Sequence, residues 1–390
     1  MNKVIFGKHD DNTLRQFNHC LETGNVIGGV LCADGHYGYS QPVGGVVVYD
    51  GQISPSGVGY DIGCGNKAVK TNLKYNDIKD NMQTIMDELQ ATIPFGVGKK
   101  GGRKFDHDLF DDPDWNVFRD IGKHEHDKLK SLAREQLGSC GSGNHYVDIL
   151  VDEKTDDVWV GNHFGSRGFG HRTATGFLNL ANDRDFFVNP PRESMDVAPT
   201  LFDMDSDLGQ MYFRAMKLAG QYAYAGRDIV INQVLDILHA RALDEVHNHH
   251  NYAWKEKHDG KEYIVVRKGA TPAAPGQRGF VGGSMGDISV ILEGKESEKS
   301  MEAFYSTVHG AGRIMSRTKA AGRGRGKRRK AGLISEDQMN RAVKDFGVEL
   351  RGGGTDESPF VYRKLQEVLD AHEDTIDILN ILRPIGVLMD

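Results

Sequence analysis

The chain has 390 residues, 38% of them hydrophobic, with a formal net charge of −7, so it can bury a large core and is no global polycation. No run approaches the ~18 apolar residues that span a bilayer, and the opening "MNKVIFGKHDDN" lacks a signal-peptide pattern. Four cysteines (Cys20, Cys32, Cys64, Cys140) without a CxxC pair argue against a disulfide framework, and the expectation is a soluble cytoplasmic protein.

In chain order, "QPVGGVVVYDG" (Gln41 to Gly51) reads as a short β-run closed by a glycine turn. "NDIKDNMQTIMDELQAT" has helical spacing with an asparagine cap. A longer helical pattern runs from about Asp207 to His250, with Gly226 as a candidate break. "ISVILEG" reads as a second β-run, and helices are expected over Ser335 to Phe346 and Pro359 to Ala371. No Pro/Ser-rich linker and no internal repeat divides the chain. The expected class is α+β, as one large mixed α/β domain over residues 1–390.

Two compositional biases point to chemistry. The 48 glycines make about 12% of the chain against roughly 7% in ordinary proteins, and they cluster where backbone must approach something closely. The 16 histidines include His145, His163, His247, His249, His250 and His309, all near glycine or asparagine. Between Arg313 and Lys330, "RIMSRTKAAGRGRGKRRK" carries nine Lys or Arg and no acid. On an acidic protein such a stretch suits a docked polyanion; the plainer alternative is a solvated loop.

"SPSGVGYDIGCG" (Ser54 to Gly65) places Asp61 and Cys64 three residues apart on bare backbone. Elsewhere "GSGNHY" supplies Asn144 and His145, "NHFGSRG" supplies His163, and "HNHHNY" supplies His249, His250 and Asn251. Taken singly, each histidine is more often a structural group than a ligand. Together the set offers O, S and N donors. A thiolate can bridge two cations, and the mixture fits a two-metal centre better than a closed, thiolate-rich zinc site. In "STVHGAGRIMSR", His309 precedes Gly-Ala-Gly and a helix is expected from Arg313. Backbone N–H groups there could face an anion at a helix N-terminus, with the imidazole as a nucleophile toward phosphorus.

"DGHYGYSQPVGGVV", "ISPSGVGYDIGCG", "LGSCGSGNHY", "HFGSRG", "HHNY", "RKGATPA", "GGSMG", "HGAGRIMSRTKA" and "LRPIGV" occur in the order seen in RtcB-type RNA ligases. From about Asp34 to the C-terminus the chain resembles that family. The resemblance implies an RtcB-like fold with a buried dimetal cleft, and a ligase dependent on GTP and two Mn²⁺ ions. Such a ligase joins RNA ends bearing a 3′-phosphate or 2′,3′-cyclic phosphate to 5′-hydroxyl ends, in tRNA splicing or RNA repair.

Carried over, Asp61, Cys64 and His145 would hold one manganese, Cys64, His163 and His250 the other, and His309 would be guanylylated. Guanylate contacts would come from Asn144, His145, Tyr146, Val147, Asp148, His250, Asn251, Gly282, Gly283, Ser284, Met285, Ser289, His309, Gly310, Ala311 and Gly312. Two positions depart from the family: Gly282 stands where proline is usual, and Met389-Asp390 replaces a terminal Lys-Gly whose lysine contacts guanine. The departures leave guanine selectivity open. Two other functions compete: an enzyme that processes or caps RNA 3′ ends without ligating them, and a non-catalytic RNA-binding protein.

Overall fold

The computed structural model describes residues 2–191, 194–323 and 330–390, so Arg325, Lys327, Arg328 and Arg329 of the basic stretch lie outside the described residues. Among the described residues no helix is long and apolar enough to cross a membrane.

The valine run of Val43–Tyr49 forms a strand buried nearly throughout. Its alternating side chains enter two different apolar clusters, Val47 and Tyr49 on one face and Val46 and Val48 on the other. This strand is central in a five-stranded sheet ordered Asn2–Ile5, Val26–His36, Val43–Tyr49, Lys261–Lys268, Asn251–His258. The first pair is parallel and the others antiparallel.

A larger, eight-stranded sheet runs Arg278–Val281, Ser289–Gly294, Ile376–Leu388, Tyr146–Asp152, Asp157–Phe164, Gly65–Lys74, Ala242–His249, with Glu349–Arg351 beside Ile376–Leu388. Its two end strands meet through side chains. Phe280 N–H donates to Asn248 Oδ1 at 3.1 Å, and Arg278 grips Asp244 with two bonds of 2.7 and 2.8 Å. Neither edge is left as a template for another chain. The chain passes from the larger sheet to the smaller between His249 and Asn251, with His250 as the single residue between. A separate ribbon pairs Ala270–Pro272 with Ser306–Val308 and delivers His309 immediately after its second strand.

The long helical pattern is one unbroken helix, Asp207–Ile237, capped by Ser206 Oγ accepting from Gly209 N–H at 3.1 Å. Gly226 does not break it. A Cβ at Gly226 would lie 3.3 Å from the Phe164 ring, and one at Gly220 would lie 2.8 Å from the Tyr252 ring. These glycines admit neighbours rather than ending the helix. The remainder of the expected helix, Ala242–His249, is a strand, because pairing with Gly65–Thr71 overrides local preference.

Two other expectations change in detail. The first helix region starts at Tyr75 with Lys74 as its cap, and a 3-10 turn at Lys79–Asn81 separates Tyr75–Ile78 from Met82–Thr92. Pro359–Val361 is a 3-10 turn and the helix is Leu365–Asp370, since Tyr362 is held extended by bridging Arg313. The Ser335 helix forms as expected, over Glu336–Asp345, with a Ser335–Gln338 capping box.

Gly220→Ala gains about 1 kcal/mol of helix propensity but forces a methyl into the Tyr252 ring, an overpacking cost of about 1–3 kcal/mol. Denaturant unfolding of this variant should show a net loss of stability. Gly226→Ala, with its longer contact, should lose less.

Candidate active site

The turn that follows Ser54 brings Asp61 and Cys64 to one side: Cys64 N–H donates to the Asp61 carbonyl at 3.1 Å. The Asp61 carboxylate then sits against Gly165, where a Cβ would lie within 2.2 Å of Oδ1. Gly165 follows directly on the strand that carries His163. Strand pairing sets Tyr146 opposite His163, and His145 just precedes Tyr146. The result is a tight donor group. Cys64 Sγ lies 3.8 Å from His145 Nε2 and 3.5 Å from His163 Nε2, and His145 Nε2 lies 3.1 Å from Asp61 Oδ2. His250 completes the row, its ring stacked on His163 with centroids 5.0 Å apart.

The electrostatics of this group suit a cation. Burial lowers both His163 and His250 well below the ordinary histidine value, so each presents a neutral imidazole. Burial, and then the Asp61 charge, push the Cys64 thiol well above its usual value. Burial would raise Asp61 too, but hydrogen bonding and charge from His145 outweigh it and hold that carboxyl low. A divalent ion would invert the thiol's preference. Cys64, His145 and His163 hold their ligand atoms within 4.8 Å of one another, a spacing one ion can span. The buried Nδ1 atoms of His145 and His250 have no protein partner.

Two residues hold the donors in place. Asn66 Nδ2 donates to the Phe280 carbonyl, so its Oδ1 accepts from His163 Nδ1–H at 2.6 Å and turns Nε2 toward Cys64. Arg227, fully buried, donates to the Gly63 carbonyl at 2.9 Å, the Phe164 carbonyl at 2.6 Å and His247 Nε2 at 2.8 Å, and its Nη2 lies 3.0 Å from His249 Nδ1, which is also 2.9 Å from the Gly63 carbonyl. Among the described residues no carboxylate comes within ion-pair distance of it. It binds the Cys64 turn, the His163 strand and the His250 strand to one planar group.

His309 faces the other end of this row, its ring 4.8 Å from that of His250. Its Nδ1 lies 2.5 Å from Asp34 Oδ2, and the same oxygen accepts the backbone N–H of His309 at 3.0 Å and of Gly310 at 3.3 Å. This corrects the expected anion nest. Those two N–H groups are directed at Asp34, and the next helix begins only at Arg317, capped by Ser316. The Asp34 carboxyl is fully buried, which would raise it, yet ion pairing and hydrogen bonds from His309 keep it below the usual range. An acceptor at Nδ1 fixes the orientation of the ring and leaves Nε2 outside that bond.

The donor cluster and His309 border one cavity of about 350 Å³. It collects Asp61, Cys64, Asn144, His145, Tyr146, Asp148, His163, His250, Asn251, Gly282, Gly283, Ser284, Met285, His309, Gly310, Ala311 and Gly312. Val147 is not among them. It points to the opposite face of its strand and packs with Ile149 and Val151. Ser289 is also outside the lining; its Oγ supports the loop by accepting from Gly283 N–H at 3.3 Å. At this end Asp148 Oδ1 and the Tyr146 hydroxyl are buried without a partner, and burial raises the Asp148 carboxyl well above its usual value. A Cβ at Gly282 would fall 1.9 Å from the Tyr146 hydroxyl, so a proline there would not fit beside this tyrosine. Sequence reading missed Asp34, Asn66, Arg227 and the lining cation Lys268, which burial draws down to about 8. Asp34 and Lys268 left traces, as the first residue of the quoted "DGHYGYSQPVGGVV" and the second of "RKGATPA".

If the Cys64 sulfur bridges two ions, Cys64→Ala should lose both together in metal analysis; two tightly held ions in that variant would contradict a bridging role. Between pH 6 and 8 the imidazoles of His163 and His250 are already neutral while the Cys64 thiol still holds its proton. Mn²⁺ binding should therefore release a proton, and calorimetric affinity should rise about tenfold per pH unit. A flat profile would remove Cys64 from the ligand set.

The model of the family "tRNA-splicing ligase RtcB" matches residues 21–390. The RNA-splicing ligase RtcB of Escherichia coli K12 is 32% identical over 374 residues, covering 90% of this chain and 87% of that protein. The tRNA-splicing ligase RtcB of Thermococcus kodakarensis is 32% identical over 457 residues, covering 99% and 92%. That of Methanococcus maripaludis is 32% identical over 430 residues, covering 91% and 86%. With its donor cluster, its buried Asp34–His309 pair and this match along nearly its whole length, the chain belongs to the RtcB family.

Proposed function

We propose that this protein is an RNA ligase that joins RNA 3′-phosphate or 2′,3′-cyclic phosphate ends to 5′-hydroxyl ends, in tRNA splicing or RNA repair, using GTP and two Mn²⁺ ions. One observation carries the nucleotide step: His309, oriented through Nδ1 by Asp34, stands beside the donor cluster, its ring 4.8 Å from that of His250. The relatives named as RNA-splicing ligases support the RNA-ligase role. Asp61, Cys64 and His145 would hold one ion, and Cys64, His163 and His250 the other. When bound, the ions neutralise phosphate charge, and a thiolate-containing site favours manganese over magnesium.

The remaining chemistry belongs to the side chains. His309 Nε2 attacks the α-phosphorus of GTP; a P–N bond forms as the α–β P–O bond breaks, and pyrophosphate leaves. Asp34 stabilises the positive charge that develops on the ring. A cyclic end is first hydrolysed, water adding to phosphorus as the P–O2′ bond breaks; an oxygen of the RNA 3′-phosphate then takes the guanylyl group, the P–N bond breaks and His309 is restored. The 5′-hydroxyl attacks that activated phosphate, loses its proton, and GMP departs as the strand is sealed. Asp148 supplies a reason for guanine. Its unpartnered buried oxygen would accept from the N1–H and N2–H donors of guanine, whereas adenine presents an acceptor at N1. Four free, buried cysteines fit a reducing, cytoplasmic setting.

Incubation with α-labelled GTP and Mn²⁺, followed by an RNA carrying a 3′-phosphate and a 5′-hydroxyl, tests the whole sequence of steps. Labelled protein and sealed RNA are expected. Guanylylated RNA without sealing would favour the end-processing alternative. His309→Ala should abolish labelling and keep its metal. Asp34→Asn should slow labelling by about 10²-fold or more, since the amide presents the wrong group to Nδ1.

A further inference from the structure

Outside the cavity, three aromatic rings form a row. Tyr39 and Tyr60 have centroids 5.4 Å apart with planes at 38°, and Tyr60 and His171 are 5.3 Å apart with planes at 26°. None of the three lines the cavity, yet the row abuts it at two points. Tyr60 directly precedes Asp61, whose charge reaches His171. At the other end Lys268, a lining residue, donates to the Tyr39 carbonyl at 2.5 Å and holds Nζ 6.0 Å from the Tyr39 ring. His171 and its neighbour Arg172 are exposed, and Tyr39 and Tyr60 are half-buried. By contrast, Trp115 stacks on Phe169 at 4.9 Å with both rings enclosed in the core.

We propose that Tyr39, Tyr60 and His171 form a stacking track for single-stranded RNA next to its reacting end. The proposal rests on the RNA-ligase reading above. A single strand suits the feature because every base offers a π-face, so aromatic rings bind it without regard to sequence. The cations Lys268 and Arg172 flank the row and match the phosphate backbone. Asp61 lies beside the row, and a bound cation would neutralise it. Continuity with the cavity at Asp61 and Lys268 is what separates this surface from a general binding patch: a strand lying on it leads its end to the donor cluster.

The test uses the full chain and a fluorescent RNA of about ten nucleotides with a 5′-hydroxyl and a 3′-phosphate. Tyr60→Leu and His171→Ala should each weaken its binding roughly fivefold or more, and Tyr60→Phe should bind as the unaltered protein does. Self-labelling by GTP and Mn²⁺ should stay normal in His171→Ala, whose side chain is exposed. Abasic substitutions near an end should weaken binding to the unaltered protein, and less so to Tyr60→Leu. Undiminished binding in both variants, or indifference to every abasic position, would overturn the track. Failure of the unaltered protein to bind this RNA would overturn the RNA-ligase reading itself, and the track with it.

Discussion

The Cys64 carbonyl accepts two backbone hydrogen bonds, from His250 N–H at 2.8 Å and Asn251 N–H at 3.2 Å, where the chain leaves one sheet for the other. Gly63 N–H returns a bond to the Asn251 carbonyl at 2.8 Å. These three bonds make the seam between the sheets into the floor of the cavity. They also fix the register that matters: Gly65 stands opposite both Phe164 and His249, and Asn66 opposite His163. Because side chains alternate across a strand, a slip of one residue would turn His163 away from Cys64 and offer Asn162 or Phe164 instead.

Such a seam concentrates charge that burial disfavours. Arg227 carries a guanidinium into a fully buried position with carbonyls and neutral imidazoles as partners rather than a carboxylate. An isolated buried charge is costly unless its hydrogen bonds are met, and here two carbonyls and His247 Nε2 accept them. Its charge draws the Cys64 thiol down while Asp61 draws it up. The loop, the two histidine strands and the long helix are thereby tied to one another at the place where ligand geometry must be held to fractions of an ångström.

The Asp34–His309 pair has the same logic on the other side of the cavity. One carboxylate oxygen collects the ring Nδ1 and two backbone N–H groups, so the imidazole can neither rotate nor exchange tautomers without breaking a buried bond. His309 and the donor cluster come from different sheets and ribbons, yet His250, the residue between the sheets, touches both. In the proposed reaction, that shared neighbour would let one phosphate be held by cations and approached by nitrogen at once.

What residue types and short spacings govern was legible in the chain itself. The Asp61–Cys64 pair acts through a local turn, the valines of Val43–Tyr49 through simple alternation, and the Ser335 helix through its own capping box. The donor chemistry of Asp61, Cys64, His145, His163 and His250 followed from the same local cues read beside a family resemblance. Long-range pairing decided the rest. Asp34 lies 275 residues from His309, Asn66 lies 97 from His163, and Arg227 lies 164 from Gly63. No periodicity signals such pairs. Strand pairing likewise turned Ala242–His249 from an expected helix into the strand that positions His250, and alternation sent Val147 away from the cavity. Which nitrogen carries a proton, which carboxyl stays charged and which face a side chain takes are set by atoms brought from distant parts of the chain, and only the folded structure brings them together.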